Sequence, residues 1–100
     1  MLNDIRQITT QGDIPDAPCY VTTTDRFMSG WGPAKGRNNR LVFVCASMTE
    51  AQIVYDNAVG RSDQKNVHIC ARKPRLDHYT NLYQLKTRGD YSAWYELGRW

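Results

Sequence analysis

Leu41-Val42-Phe43-Val44-Cys45-Ala46, the segment Met48 to Gly60, and Lys65-Asn66-Val67-His68-Ile69-Cys70-Ala71 together decide the fold. The first is a continuous apolar run of six residues. It is far short of the roughly 20 needed to span a bilayer, and it has the composition of a central strand covered on both faces. A helix start follows. Thr49 can cap through its hydroxyl, Gln52 completes a capping box three residues on, and Glu50 suits the positive end of the helix dipole. Ala51, Val54, Tyr55 and Ala58 then fall at i, i+3, i+4 and i+7, so one face can pack on a sheet, and Gly60 ends the run. Lys65 to Ala71 reads as the next strand, stopped by Pro74. If the two strands are parallel, the helix is the crossover between them.

Cys19-Tyr20-Val21-Thr22-Thr23-Thr24 is rich in β-branched and aromatic residues and predicts an earlier strand, with Tyr20 and Thr22 on one face and Val21 and Thr23 on the other. Leu82 to Thr87 alternates and runs into the turn signal Gly89-Asp90. Residues 1–16 are polar and predict a partly ordered arm. The tail carries Tyr91, Trp94, Tyr95, Leu97 and Trp100, too much apolar area for a free end, so it is expected to dock on the body or to form a second patch for a partner. The expectation is an α+β domain over residues 17–100: a three- to four-stranded sheet with one helix on one face, in the order β-loop-βαβ-β.

Charge is unevenly spread. Residues 1–25 hold Asp4, Asp13, Asp16 and Asp25 against Arg6, a net of −3, while residues 26–100 hold twelve Lys or Arg against six acids, a net of +6. A basic body favours acidic partners through long-range attraction. Cys19, Cys45 and Cys70 are odd in number and widely spaced, which fits reduced thiols in a cytoplasm better than a disulfide framework. Met1 to Arg6 lack the basic-then-apolar pattern of a signal peptide, and no membrane partner is expected.

The connection Asp25 to Arg40 is the first candidate for function. It interleaves Arg26, Lys35, Arg37 and Arg40 with Phe27 and Trp31, the mixture of cations and rings that single-stranded nucleic acid binding uses. The competing reading is that Phe27 and Trp31 pin the loop to the core while the cations are solvated. Arg72-Lys73-Pro74-Arg75 is the second candidate, able to extend the patch if the fold brings it near the loop; a solvated strand exit is the alternative. His68 and Cys70 share a strand face, with His78 nearby in sequence, but no tight ligand pair anchors a zinc site, so no metal or other cofactor is expected. Met28-Ser29-Gly30 lacks a nucleophile-elbow frame, and no residue pattern identifies catalysis.

Phe27-Met28-Ser29-Gly30-Trp31-Gly32, Lys35-Gly36-Arg37-Asn38-Asn39, and the continuation through Glu50-Ala51, Val54, Asn57-Ala58, Arg61-Ser62-Asp63 and Val67 to Trp94, Tyr95 and Gly98 carry a resemblance. Over about residues 20–100 the chain resembles small uncharacterised proteins encoded by bacteriophages and other mobile elements. What the resemblance implies is a setting: counter-defence factors, including anti-CRISPR inhibitors, which bind a host defence complex and perform no turnover. The expectation is therefore a non-enzymatic inhibitor acting by protein contact through Arg26, Trp31, Lys35, Arg37 and Arg40, with Arg72, Lys73 and Arg75 beside them. A nucleic-acid-binding accessory protein using the same loop is the alternative.

Overall fold

The centre of the domain is β2 (Cys19–Asp25), whose first six residues are all buried because strands flank it on both sides. The computed structural model describes residues 6–26 and 36–97. β1 (Arg6–Gln7), β3 (Asn38–Cys45), α1 (Met48–Val59), β4 (Gln64–Cys70) and β5 (Asn81–Lys86) complete the elements of an α+β fold. The sheet order is β1-β5-β3-β2-β4, with β3 and β4 both antiparallel to β2, and β5 parallel to β3. β3 and β4 therefore run in the same direction, as the crossover reading requires. They are not neighbours, however: β2 lies between them, so α1 joins two strands of a split βαβ unit. An apolar run shows that a strand is buried, not which strand it pairs with.

The two faces of the sheet hold separate cores. On the helix side Val21, Leu41, Phe43 and Cys45 meet Ala51 and Val54 of α1, and Trp94 and Tyr95 of the tail. On the far side Tyr20, Val42, Tyr83 and Leu85 meet Ile8 and Ile14, with Leu76 packed against them. The N-terminal arm thus adds two buried isoleucines to the core, 2% and 1% exposed, more than its polar composition suggests. Asp13 closes the turn between the two isoleucines, its carboxylate accepting from Thr9 N, Thr9 Oγ1 and Thr10 N at 2.8–2.9 Å. These bonds, the one to the Thr10 amide foremost, hold the Asp13 carboxyl below its ordinary range.

Helix α1 starts at Ser47, two residues before the expected cap: Ser47 Oγ accepts from Glu50 N at 3.1 Å. Glu50 reaches back to Ala46 N at 2.7 Å and pairs with Arg88, so the reciprocal arrangement exists one step earlier in the chain. The tail docks in cis. Tyr95 is 2% exposed and its hydroxyl lies 2.9 Å from Val44 O and 3.0 Å from Lys86 O, closing the ends of β3 and β5. Trp94 lies 4.8 Å from Phe43 between ring centres, with the Arg61 guanidinium 4.7 Å above it, and Asn57 Nδ2 donates to Trp94 O and Glu96 O. Among the described residues no helix is long and apolar enough to cross a membrane.

Candidate nucleic-acid interface

The strand register assembles a basic row on the face away from α1. Lys65 of β4 pairs with Thr24 of β2, Thr24 with Arg40 of β3, and Arg40 with Tyr83 of β5. Paired residues point to the same side of a sheet, so the four side chains form one line across it. Below it runs His68, Thr22, Val42 and Leu85. Period-two alternation would put Lys65 and His68, three residues apart, on opposite faces. A bulge between Thr22 and Thr24, with Asn66 at φ 56°, removes that conflict and brings both to the far face.

Threonine in the central strand keeps the row shallow. Thr22 and Thr24 are 5% and 1% exposed, covered by the longer chains on either side. Arg40 Nη1 donates to Thr24 Oγ1 at 2.8 Å, which lays the guanidinium across β2. Thr23 points the other way, and its hydroxyl is satisfied by Gln64 Oε1 and Lys65 O, both at 3.1 Å. Lys65 and His68 are exposed at the free edge of β4.

The link from β4 to β5 crosses this same face. Leu76 is its apolar anchor, and Gln11 Nε2 donates to Pro74 O at 2.8 Å. Arg72 and Arg75 stay exposed, while Lys73 is committed to Asp16 of the arm at 2.9 Å. At its end a tight turn, residues 78–80, stands over the starts of β3 and β5. Asp77 organises it: its carboxylate accepts from Tyr79 N at 3.0 Å and Thr80 Oγ1 at 2.8 Å, and Asp77 N donates to Tyr83 Oη at 3.0 Å. The Thr80 hydroxyl above all, then the Tyr79 amide, lowers the Asp77 pKa below its ordinary value. Arg37 Nη1 donates to His78 O at 3.0 Å, and the His78 ring meets Tyr83 edge-on at 5.5 Å. Tyr79, at the apex, is 90% exposed.

The cations singled out in the sequence therefore separate. Arg37 meets the 78–80 turn, at the end of the segment that carries Arg72 and Arg75. Arg40 joins the far-face row. Arg26 goes elsewhere, to the turn before β4: its amide donates to Asp63 O at 2.7 Å and its Nη1 lies 3.5 Å from Ser62 O. Trp31 and Lys35 lie outside the described residues. Lys65, His68, His78 and Tyr79 complete the constellation; the sequence offers the two histidines only as zinc candidates and gives no signal for Lys65 or Tyr79, which register and burial alone bring out.

Two other places hold chemistry of their own. A cleft of about 480 Å³ at the opposite end of β3 is lined by Asp16, Pro18, Val44, Glu50 and Arg88, but its buried carboxylate is already bonded to Ala46 N and Arg88. On the helix side the Lys86 amine sits 3.7 Å from the Tyr91 ring, and burial lowers its pKa against the pull of Asp25. Burial pushes the Cys45 thiol up to about 12, the opposite of what a nucleophile needs. Among the described residues no group of three or more His, Cys, Asp or Glu could hold a metal ion. Compared with protein-family models, with curated proteins and with solved structures, the chain finds no match.

Proposed function

We propose that this chain is a non-enzymatic accessory protein that holds nucleic acid against the far face of its sheet. The observation that carries the reading is the line Lys65–Thr24–Arg40, with His68 in the next row and Arg72 and Arg75 on the segment crossing the same face. Cations on a sheet surface meet phosphates at separations set by the strands, about 4.8 Å per strand, so Lys65 and Arg40 stand about 10 Å apart. The motif resemblance supplies the setting, the cytoplasm of a phage-infected bacterium and a role in countering host defence.

Occlusion of a host defence complex by protein contact is the second reading. Leu97, 79% exposed, follows the Glu96 carbonyl that Asn57 holds on α1, two residues before Val59, which is 56% exposed. That apolar pair is a place for a protein partner. Trp94 is not, because it is packed on Phe43.

A salt series on fluorescein-labelled nucleic acid separates the two. If Arg40, Lys65, Arg72 and Arg75 each neutralise one phosphate of a single strand, log K falls with log salt at a slope of about −3, and affinity drops about 50-fold between 50 and 200 mM. Lys65→Ala/Arg75→Ala removes two exposed cations and is expected to flatten the slope by about 1.4 with no change in melting. Absence of binding at low salt, or a slope unaltered in the variant, overturns the proposal and leaves the protein-contact reading.

A further inference from the structure

Resting on that reading, we infer that the nucleic acid is single-stranded and that one of its bases stacks on the ring of Tyr79. Tyr79 is the most exposed of the large apolar side chains among the described residues, at 90%. An isolated exposed ring is ordinary. The support beneath this one is less ordinary. Asp77 holds the turn through Tyr79 N and Thr80 Oγ1, Tyr83 Oη receives Asp77 N, and Asn81 N returns to Asp77 O at 3.1 Å. Asn38 N donates to Thr80 O at 3.1 Å, and Arg37 donates to His78 O from the neighbouring strand start. Six hydrogen bonds from three segments fix a four-residue turn whose apex side chain touches solvent. With the backbone beneath it fixed, only the two side-chain torsions of the ring remain to be ordered when something stacks on it.

Its position suits a strand that also touches the basic row. Asn38 pairs with Asn81, two residues beyond the Arg40–Tyr83 pair, so the turn stands roughly 7 Å or more above the row along the strands. A backbone held at Arg40 and Lys65 can place a base from the next one or two nucleotides on the ring. Unpaired bases offer their π-faces for this, whereas in a duplex both faces are already stacked. The nearest acid, Asp77, opposes a phosphate there, but its carboxylate is turned onto Thr80 and the Tyr79 amide. Arg37, beside the same turn, is the compensating cation.

The test compares three labelled probes by anisotropy at low salt: a 12-mer of thymidine, an abasic 12-mer with the same phosphates, and a 12-base-pair duplex. Base–ring stacking at one site is expected to make the thymidine strand bind the wild-type protein at least about fivefold more tightly than the abasic strand. Tyr79→Ala is expected to erase that difference, and Tyr79→Phe to keep it, with melting temperature unchanged in both because the side chain packs on nothing. If the thymidine and abasic strands bind alike, or Tyr79→Ala leaves the preference intact, the inference is overturned while polyanion binding by the face stands. If none of the three probes binds, the functional reading itself fails.

Discussion

Replacing Trp94 with alanine tests whether the tail is core or contact surface. The ring is half-buried, 4.8 Å from Phe43, and carries the Arg61 guanidinium at 4.7 Å. Truncating a buried tryptophan costs about 3–5 kcal/mol, and partial exposure puts this site near the lower end. The aromatic pair and the cation–π contact are each worth about 0.5–1.5 kcal/mol, part of which is already counted in the burial. A loss of about 3 kcal/mol is a large share of the ~5–15 kcal/mol expected for a domain of this size. It corresponds to a fall of roughly 12–24 °C in Tm. Because Trp31 and Trp100 also fluoresce, urea and thermal unfolding should be followed by far-ultraviolet circular dichroism. Nucleic-acid affinity of the folded variant, measured well below its Tm, is expected to stay within about twofold of wild type, as a ring on the helix side does not touch the far face. A variant that melts like wild type but loses binding would refute the packing argument and return Trp94 to an interface.

Two other perturbations probe the fold. Ile14→Ala removes a side chain 1% exposed beneath the arm and is expected to cost about 2–4 kcal/mol in urea unfolding; a neutral result would mean the arm is not part of the far-face core. At alkaline pH the Cys45 thiol, ordinarily near 9.0 and raised to about 12 chiefly by burial, makes the native state hold its proton after the unfolded chain has lost it. Stability from this group is complete below pH 9 and declines as pH rises from 9 to 12; Cys45→Ala should make the decline shallower, and an unchanged pH profile would contradict it.

Much of the architecture was legible because burial leaves a period in the sequence. The alternation of Tyr20 and Val21 assigns them correctly to opposite faces, and Ala51, Val54 and Ala58 form the buried stripe of α1. The helix cap lies two residues before Thr49: Ser47 and Thr49 are chemically equivalent candidates, and the choice is made by Glu50 reaching Ala46 N, a contact that depends on where β3 ends. The neighbour relation of β3 and β4 was not legible at all. Both are strands of the right direction, and nothing local records that the threonine-rich β2 enters between them.

The site was less legible than the fold, for a reason visible in one residue. Asn66 adopts φ 56°, the left-handed region that asparagine tolerates better than branched residues. That single turn of the chain shifts the pairing of β4 by one position, and with it the side on which Lys65 emerges relative to His68. A charge pattern read along the chain weighs Lys65 as a lone cation at a strand start. Read across the strands, it is the end of a row that Arg40 completes from 25 residues earlier, with Thr24 between them. The cations of the 25–40 connection are close in sequence, yet Arg26 goes to the turn before β4 and Arg37 to the turn before β5. Side chains on a sheet surface are grouped perpendicular to the sequence, so the register, including its one irregularity, decides which charges lie together.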